Sequence, residues 1–232
     1  MCFPSPRQLD FVLFRLQCFE DLTMPAHTLS HPEIANRVIQ DLENINVNSC
    51  VGGSTAIIIH GIQRPEPNDV DILIYHPFCN GNVIKSLLLS KFEGRYTSDN
   101  AGNLFFHQQG TSHQTCVQLL CSGPYATLGW LRLDITRSSI VIQGTRTLNL
   151  SFCLLSKLVA ANTRLQDRRP GAERHQKDQQ DKIDVLRIAR KMQELQARFE
   201  GTLLRAANSC WRYFDREELL LLERVGVVFD QR

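Results

Sequence analysis

Apolar positions recur along this chain with two different periods, and the change between them divides it. From about residue 31 to residue 148, short apolar runs of strand length alternate with helical stretches; beyond 148 the spacing is helical throughout. Thr28-Leu29-Ser30-His31-Pro32-Glu33 reads as a helix start, with Ser30 at the N-cap, Pro32 in the first turn and Glu33 at the capping-box position. Ile34, Val38, Ile39 and Leu42 follow on one helix face. Val47 to Val51 predicts a short strand, Gly52-Gly53-Ser54 a tight turn, and Thr55 to His60 a short helix ended by Gly61. Ile62 to Asn68, with two prolines, is a loop, and Val70 to Tyr75 a strand. Asn82 to Phe92 is an amphipathic helix; Leu104 to His107, Thr115 to Cys121 and Ser139 to Ile142 are further strands. Helices are expected over Ser151 to Arg164, Lys177 to Phe199, Leu203 to Trp211 and Asp215 to Arg224, with a charged loop from Leu165 to His175. Leu9 to Leu22 reads as one more helix.

The pattern predicts an α/β (α+β) chain. Residues 1–30 form an N-terminal extension, 31–148 a core around a small mixed sheet, and 149–232 a helical region packing on that core. At 232 residues the chain is long enough to bury a sizeable interior. Its formal net charge is +2, so composition does not point to a general polyanion binder. No apolar run approaches the roughly 20 residues that span a bilayer, and Phe11 to Phe19, broken by Arg15 and Gln17, does not read as a signal peptide. The eight cysteines sit partly inside apolar runs, as small buried hydrophobes do, which predicts free thiols in the reducing cytoplasm. His107, His113, Cys116 and Cys121 are close in sequence, but their spacing matches no zinc-ligand pattern.

The chemistry gathers at two places. A strand runs into Gly52-Gly53-Ser54 and a helix begins at once; such a turn offers consecutive backbone N–H groups to an anion, and Ser54 adds a hydroxyl. A two-glycine turn is also simply a turn. Downstream, Asp69 and Asp71 lie two apart on a strand and project to one face, while Val70, Ile72 and Ile74 face the core. Paired carboxylates repel unless a cation lies between them, so a divalent ion with bound phosphate is the economical reading, against that of a surface strand cap.

The stretch from Val51 to Ile74, VGGSTAIIIHGIQRPEPNDVDILI, resembles the signature of the nucleotidyltransferase superfamily with the polymerase-β-like fold. Within it, the sequence is similar to AbiEii-type toxins and related bacterial and fungal nucleotidyltransferase-like proteins, through Gly52, Gly53, Ser54, Ala56, Gly61, Arg64, Asp69 and Asp71. The interval from Arg64 to Asp69 is one residue longer than in that pattern. A second segment, Leu154-Leu155-Ser156-Lys157-Leu158-Val159-Ala160-Ala161 and Arg164 followed by Lys177-Asp178-Gln179-Gln180-Asp181-Lys182-Ile183-Asp184-Val185, resembles the helical part of the same group. The resemblance implies transfer of a nucleoside monophosphate from an NTP to a hydroxyl acceptor: a protein, an RNA 3′ end or a small molecule. It implies Mg²⁺ (or Mn²⁺) on Asp69 and Asp71, and nucleotide on Gly52, Gly53, Ser54, Arg64 and Lys157, with Asp178 and Asp181 in the same nucleotide site. As chemistry alone, Lys157 is either a point charge for phosphates or a solvated lysine, and Asp178 and Asp181, three apart on one helix face, either orient it or solvate their helix.

One position departs from the pattern. The resemblance implies a third carboxylate on a neighbouring strand, and Cys116-Val117-Gln118-Leu119-Leu120 puts Gln118 in its seat. An amide does not take a proton from a hydroxyl at neutral pH. Asp134 is the candidate substitute in catalysis, against the reading that it pairs with Arg132 or Arg137. The alternative expectation is therefore an inactive binding or interaction module on the same fold. The basic stretch Arg164, Arg168, Arg169, Arg174 and Lys177 reads as a surface loop or as a contact for a polyanion.

Overall fold

A computed structural model describes residues 28–75, 80–123, 134–166, 172–199 and 214–227. Helix α1 (His31–Asn44) starts at the capping box, where the Ser30 N–H and hydroxyl donate to Glu33 Oε2 at 2.8 and 2.7 Å. Its Ile34, Ala35, Val38 and Leu42 are fully buried, as their helical spacing requires. There follow β1 (Asn48–Val51), α2 (Gly53–Ile59), β2 (Asp69–Tyr75), α3 (Gly81–Lys91), β3 (Tyr96–Ser98), β4 (Leu104–His107) and β5 (Gln114–Ser122). The chain continues through α4 (Ile135–Ser138), β6 (Ser139–Ile142), β7 (Thr145–Leu148), α5 (Leu150–Gln166), α6 (Ala172–Glu194) and α7 (Arg216–Arg224).

The strands form one mixed sheet in the order β3-β4-β5-β2-β1-β7-β6. Central β2 runs antiparallel to β1 and parallel to β5, and β1 is parallel to β7. Strand alternation sorts side chains onto two faces. One face carries Val70, Ile72, Ile74, Val117 and Tyr96; there Tyr96 donates its hydroxyl to Asp41 of α1 at 2.8 Å, and the first residue of α3, Gly81, approaches Cys121. The other face carries Asp69, Asp71, Leu73 and, from β1, Cys50. Helix α2 packs on β2 and against α5, whose Cys153 lies near Cys50, and Ile72, Leu73 and Ile74 are all fully buried despite pointing both ways.

Two strands were not evident from the apolar pattern. The segments Tyr96–Ser98 and Thr145–Leu148 are short and mostly polar, and become strands through pairing with β4 and with β1 and β6. The loop expected from Leu165 to His175 is shorter, because α6 begins at Ala172. That helix ends at Glu194 rather than reaching Phe199: Gln196 takes φ +52°, and the Ala197 N–H turns back to Met192 O at 2.8 Å. The helices expected over Leu9 to Leu22 and Leu203 to Trp211 lie outside the described residues. No described helix is long and apolar enough to cross a membrane.

Candidate functional site

Strand β1 delivers the chain to Gly52, whose N–H donates to the Asp71 carbonyl at 2.9 Å. Both glycines are demanded by close approach. A Cβ on Gly52 would overlap Leu73 Cδ1, and one on Gly53 would overlap Asp71 Oδ2; Gly53 also holds φ +53°. The Asp71 carboxylate thus lies against the backbone of the turn that starts α2, and Ser54 follows at once.

Asp69 and Asp71 share one face of β2 and line a cleft of about 720 Å³ together with Ser54, Arg64, Gln118 and Lys157. Burial, reinforced by the neighbouring negative charge of Asp69, pushes the Asp71 carboxyl up to about 6, against the pull of Lys157 and Arg64. Gln118 stands beside Asp71 in the parallel β2–β5 pairing, and its amide Nε2 donates to Asp69 Oδ2 at 2.5 Å. Among the described residues no cluster of three or more His, Cys, Asp or Glu side chains has the arrangement of a metal site. Glu66 and Asp181 add two further carboxylates to the lining of the cleft.

Lys157 enters from α5 and is buried rather than solvated. Its Nζ donates to Ser54 Oγ at 3.2 Å and to Asp181 Oδ1 at 3.0 Å, and lies 3.1 Å from Asp184 Oδ2. Burial lowers its pKa, opposed chiefly by the charge of Asp184. Asp184 is fully buried; its Oδ1 accepts from Gln180 Nε2 at 2.8 Å, and its Oδ2 lies 3.6 Å from Arg64 Nη1. Three side chains therefore converge on Asp184, which lies within the second family-like segment but was given no role from the sequence. Its position three after Asp181, on the same helix face, was the available signal. The side chain of Asp178 lies outside the described residues, as do those of Arg164, Arg168, Arg169 and Arg174.

Arg64 comes from the loop between α2 and β2, and its side chain is only 7% exposed. Burial lowers its pKa, and Asp184 holds it up. The same loop is tied from α6, where Arg187 Nη1 donates to Gln63 O at 2.6 Å. Asp134 is not brought to the cleft. It caps α4, accepting from Thr136 N and Oγ1 at 2.9 and 2.6 Å, with Arg137 Nε 3.9 Å away. It is not among the residues that line the cleft.

No protein-family model matches the chain, and no curated protein is similar to it. Among solved structures, an antigenic nucleotidyltransferase-like protein from Paracoccidioides brasiliensis is similar over 89% of this chain and 96% of its own, with a TM-score of 0.63 and 14% identity. ANT(2")-Ia in complex with adenylyl-2"-tobramycin is more distant, with a TM-score of 0.38 and 11% identity over 71% of this chain and 98% of that one. At 14% identity the likeness to the Paracoccidioides protein is one of fold alone: this chain has the fold of that nucleotidyltransferase-like protein.

Proposed function

We propose that this chain, built on the nucleotidyltransferase fold, binds a nucleoside triphosphate with Mg²⁺ (or Mn²⁺) in the cleft and transfers its nucleoside monophosphate to a hydroxyl acceptor. The observation that carries the reading is the meeting of Asp69 and Asp71, on one strand face, with Ser54 and Lys157 across a single cleft. The donor set fits a hard divalent cation: two carboxylate oxygens groups side by side, one of them destabilised by burial and by its neighbour's charge. Asp69 and Asp71 would hold the ion, whose charge offsets that of the triphosphate when bound. Ser54 and Lys157 supply a hydroxyl and a positive charge at one side, and Arg64 a second positive charge. In the transfer, a bond forms from the acceptor oxygen to the α-phosphorus, the bond from the α-phosphorus to the α,β-bridging oxygen breaks, pyrophosphate leaves with that oxygen, and the acceptor's proton passes to water. Positioning and charge neutralisation carry most of such a step. The acceptor is a protein hydroxyl, an RNA 3′ end or a small molecule.

A second reading has its own observation. Gln118 lies where the resemblance puts a third carboxylate, and its amide is bonded to Asp69. An amide neither accepts the acceptor's proton nor adds negative charge to a metal site. On this reading the cleft binds Mg²⁺ and nucleotide without turnover. Incubation with α-³²P-labelled ATP, GTP, CTP and UTP, Mg²⁺, an RNA oligonucleotide and a cell extract of small molecules and proteins separates the two, run beside calorimetry of nucleotide binding. Label transferred to any acceptor supports the enzyme. Mg²⁺-dependent binding without transfer supports the module, and absence of both in folded protein removes each of them.

A further inference from the structure

The sheet ends in two unlike edges. Edge strand β3 is short and mostly polar, and the charges of Arg95 and Asp99 flank it. Edge strand β6, Ser139-Ile140-Val141-Ile142, carries no charge, proline or bulge, the usual guards of an open edge. Among the described residues it pairs with β7 on one side only. Ile140 and Val141 are 43% and 65% exposed. Ile140 and Ile142 also form one wall of a mainly apolar groove of about 470 Å³, completed by Ile59, Leu150, Leu195 and Ala197.

The hairpin turn fixes which main-chain groups of β6 face outward. The two-residue loop Gln143-Gly144, with φ +48° and +79°, is of the primed type, so Ile142 and Thr145 exchange both of their main-chain bonds. Bonding then alternates along the ladder: Ile140 bonds to Thr147, and beyond it the Asn149 N–H donates to Ser138 O at 2.9 Å. Ser139 and Val141 therefore turn their N–H and C=O groups to the open side. An antiparallel strand that sets one residue against Ser139 and another, two positions away, against Val141 takes up all four groups. Strand β6 itself does this: turned about a two-fold axis through Ile140, it sets Ser139 against Val141 of a second copy with the same sheet faces aligned. Ile140 then stands opposite Ile140 of that copy, Cα atoms about 4.5 Å apart, and the two grooves adjoin. Arg146, beside Val141 on β7, lies three strand spacings from its counterpart, about 14 Å, which is beyond the screening length.

We propose that β6 is a self-association surface whose partner is a second copy of this chain, paired antiparallel along the edge with Ile140 on the two-fold axis, so that two sheets become one. The inference is independent of the nucleotide reading. A four-residue strand and one groove bury less than the ~800 Å² that each partner gives to a standard interface, so the expected Kd is about 10–100 µM. The test is sedimentation equilibrium of the full chain from about 2 to about 300 µM, with reductant to keep its thiols free. A monomer–dimer equilibrium is expected. Ile140→Lys sets two like charges face to face on the axis and should weaken the dimer at least about tenfold, as should Ile140→Glu. An equimolar mixture of the two variants should regain wild-type association to within about fivefold, because each lysine then meets a glutamate. Monomer alone at every concentration, whether another segment of this chain or a different protein takes the edge, overturns the inference. Single variants that associate like the wild type overturn it too, as does a mixture no tighter than either variant by itself. The wild-type run decides the question even if a variant does not fold.

Discussion

The Gln118 side-chain amide donates to Asp69 Oδ2 across the β5–β2 pairing. This bond partners an Asp69 carboxylate oxygen with a neutral group. Gln118→Asp exchanges that donor for a third negative charge. Without metal, the variant should lose about 1–2 kcal/mol at pH 7 through like-charge repulsion, and with Mg²⁺ it should bind the ion about tenfold more tightly. Urea denaturation and calorimetry measure the two effects. Unchanged Mg²⁺ affinity would show that position 118 takes no part in holding a cation.

Asp71 predicts a pH dependence of the metal-free protein. Its carboxyl is pushed up to about 6 from the ordinary aspartate value of 3.8, mainly by burial and then by Asp69. Between those values the folded state binds more protons than the unfolded one, so unfolding free energy falls as pH rises from about 4 to about 6. The full destabilisation, on the order of 3 kcal/mol, is present above pH 6 and absent below pH 4. Asp71→Asn should therefore raise the stability of the metal-free protein at pH 7 and change it little at pH 3.5. Equal effects of the substitution at both pH values would contradict the burial of this carboxylate as a charge.

Lys157 separates a buried network from a surface lysine. Replacing a solvated lysine costs little, whereas Lys157→Met removes the nearest cation from fully buried Asp184. A loss of about 3–5 kcal/mol is expected, and the double variant Lys157→Met with Asp184→Leu should recover much of it. A double-mutant cycle in urea checks this. A single-variant loss below about 1 kcal/mol would return Lys157 to the surface class.

Gly53→Ala tests the fit between turn and strand. The added Cβ meets Asp71 Oδ2, and the φ of +53° already disfavours a side chain. The variant should be destabilised by at least about 2 kcal/mol. Relief of part of that loss by Asp71→Ala, measured by thermal denaturation, would place the clash at the carboxylate; no relief would place it in the backbone alone.

Much of the core was legible because its signals are local. The Ser30–Glu33 capping box, the apolar face of α1 and the two-residue spacing of Asp69 and Asp71 each depend on neighbours within a few positions, where backbone geometry alone sets which side chains meet. Strands β3 and β7 were not, because three or four mostly polar residues carry no periodicity until a partner strand supplies the hydrogen bonds.

The sequence by itself determined that two carboxylates share a strand face, that a two-glycine turn precedes them and that an amide occupies position 118. These follow from residue identity and short-range spacing. Only the tertiary structure decided which distant groups meet there. It took Asp134 away to cap α4, and it brought Lys157, 103 residues beyond Ser54, into hydrogen-bond contact with it. It also made Asp184 the buried anchor for Lys157, Gln180 and Arg64. The reason is physical: charge, burial and hydrogen-bond satisfaction are properties of a side chain's surroundings, and those surroundings come from helices and loops that periodicity along the chain does not bring together.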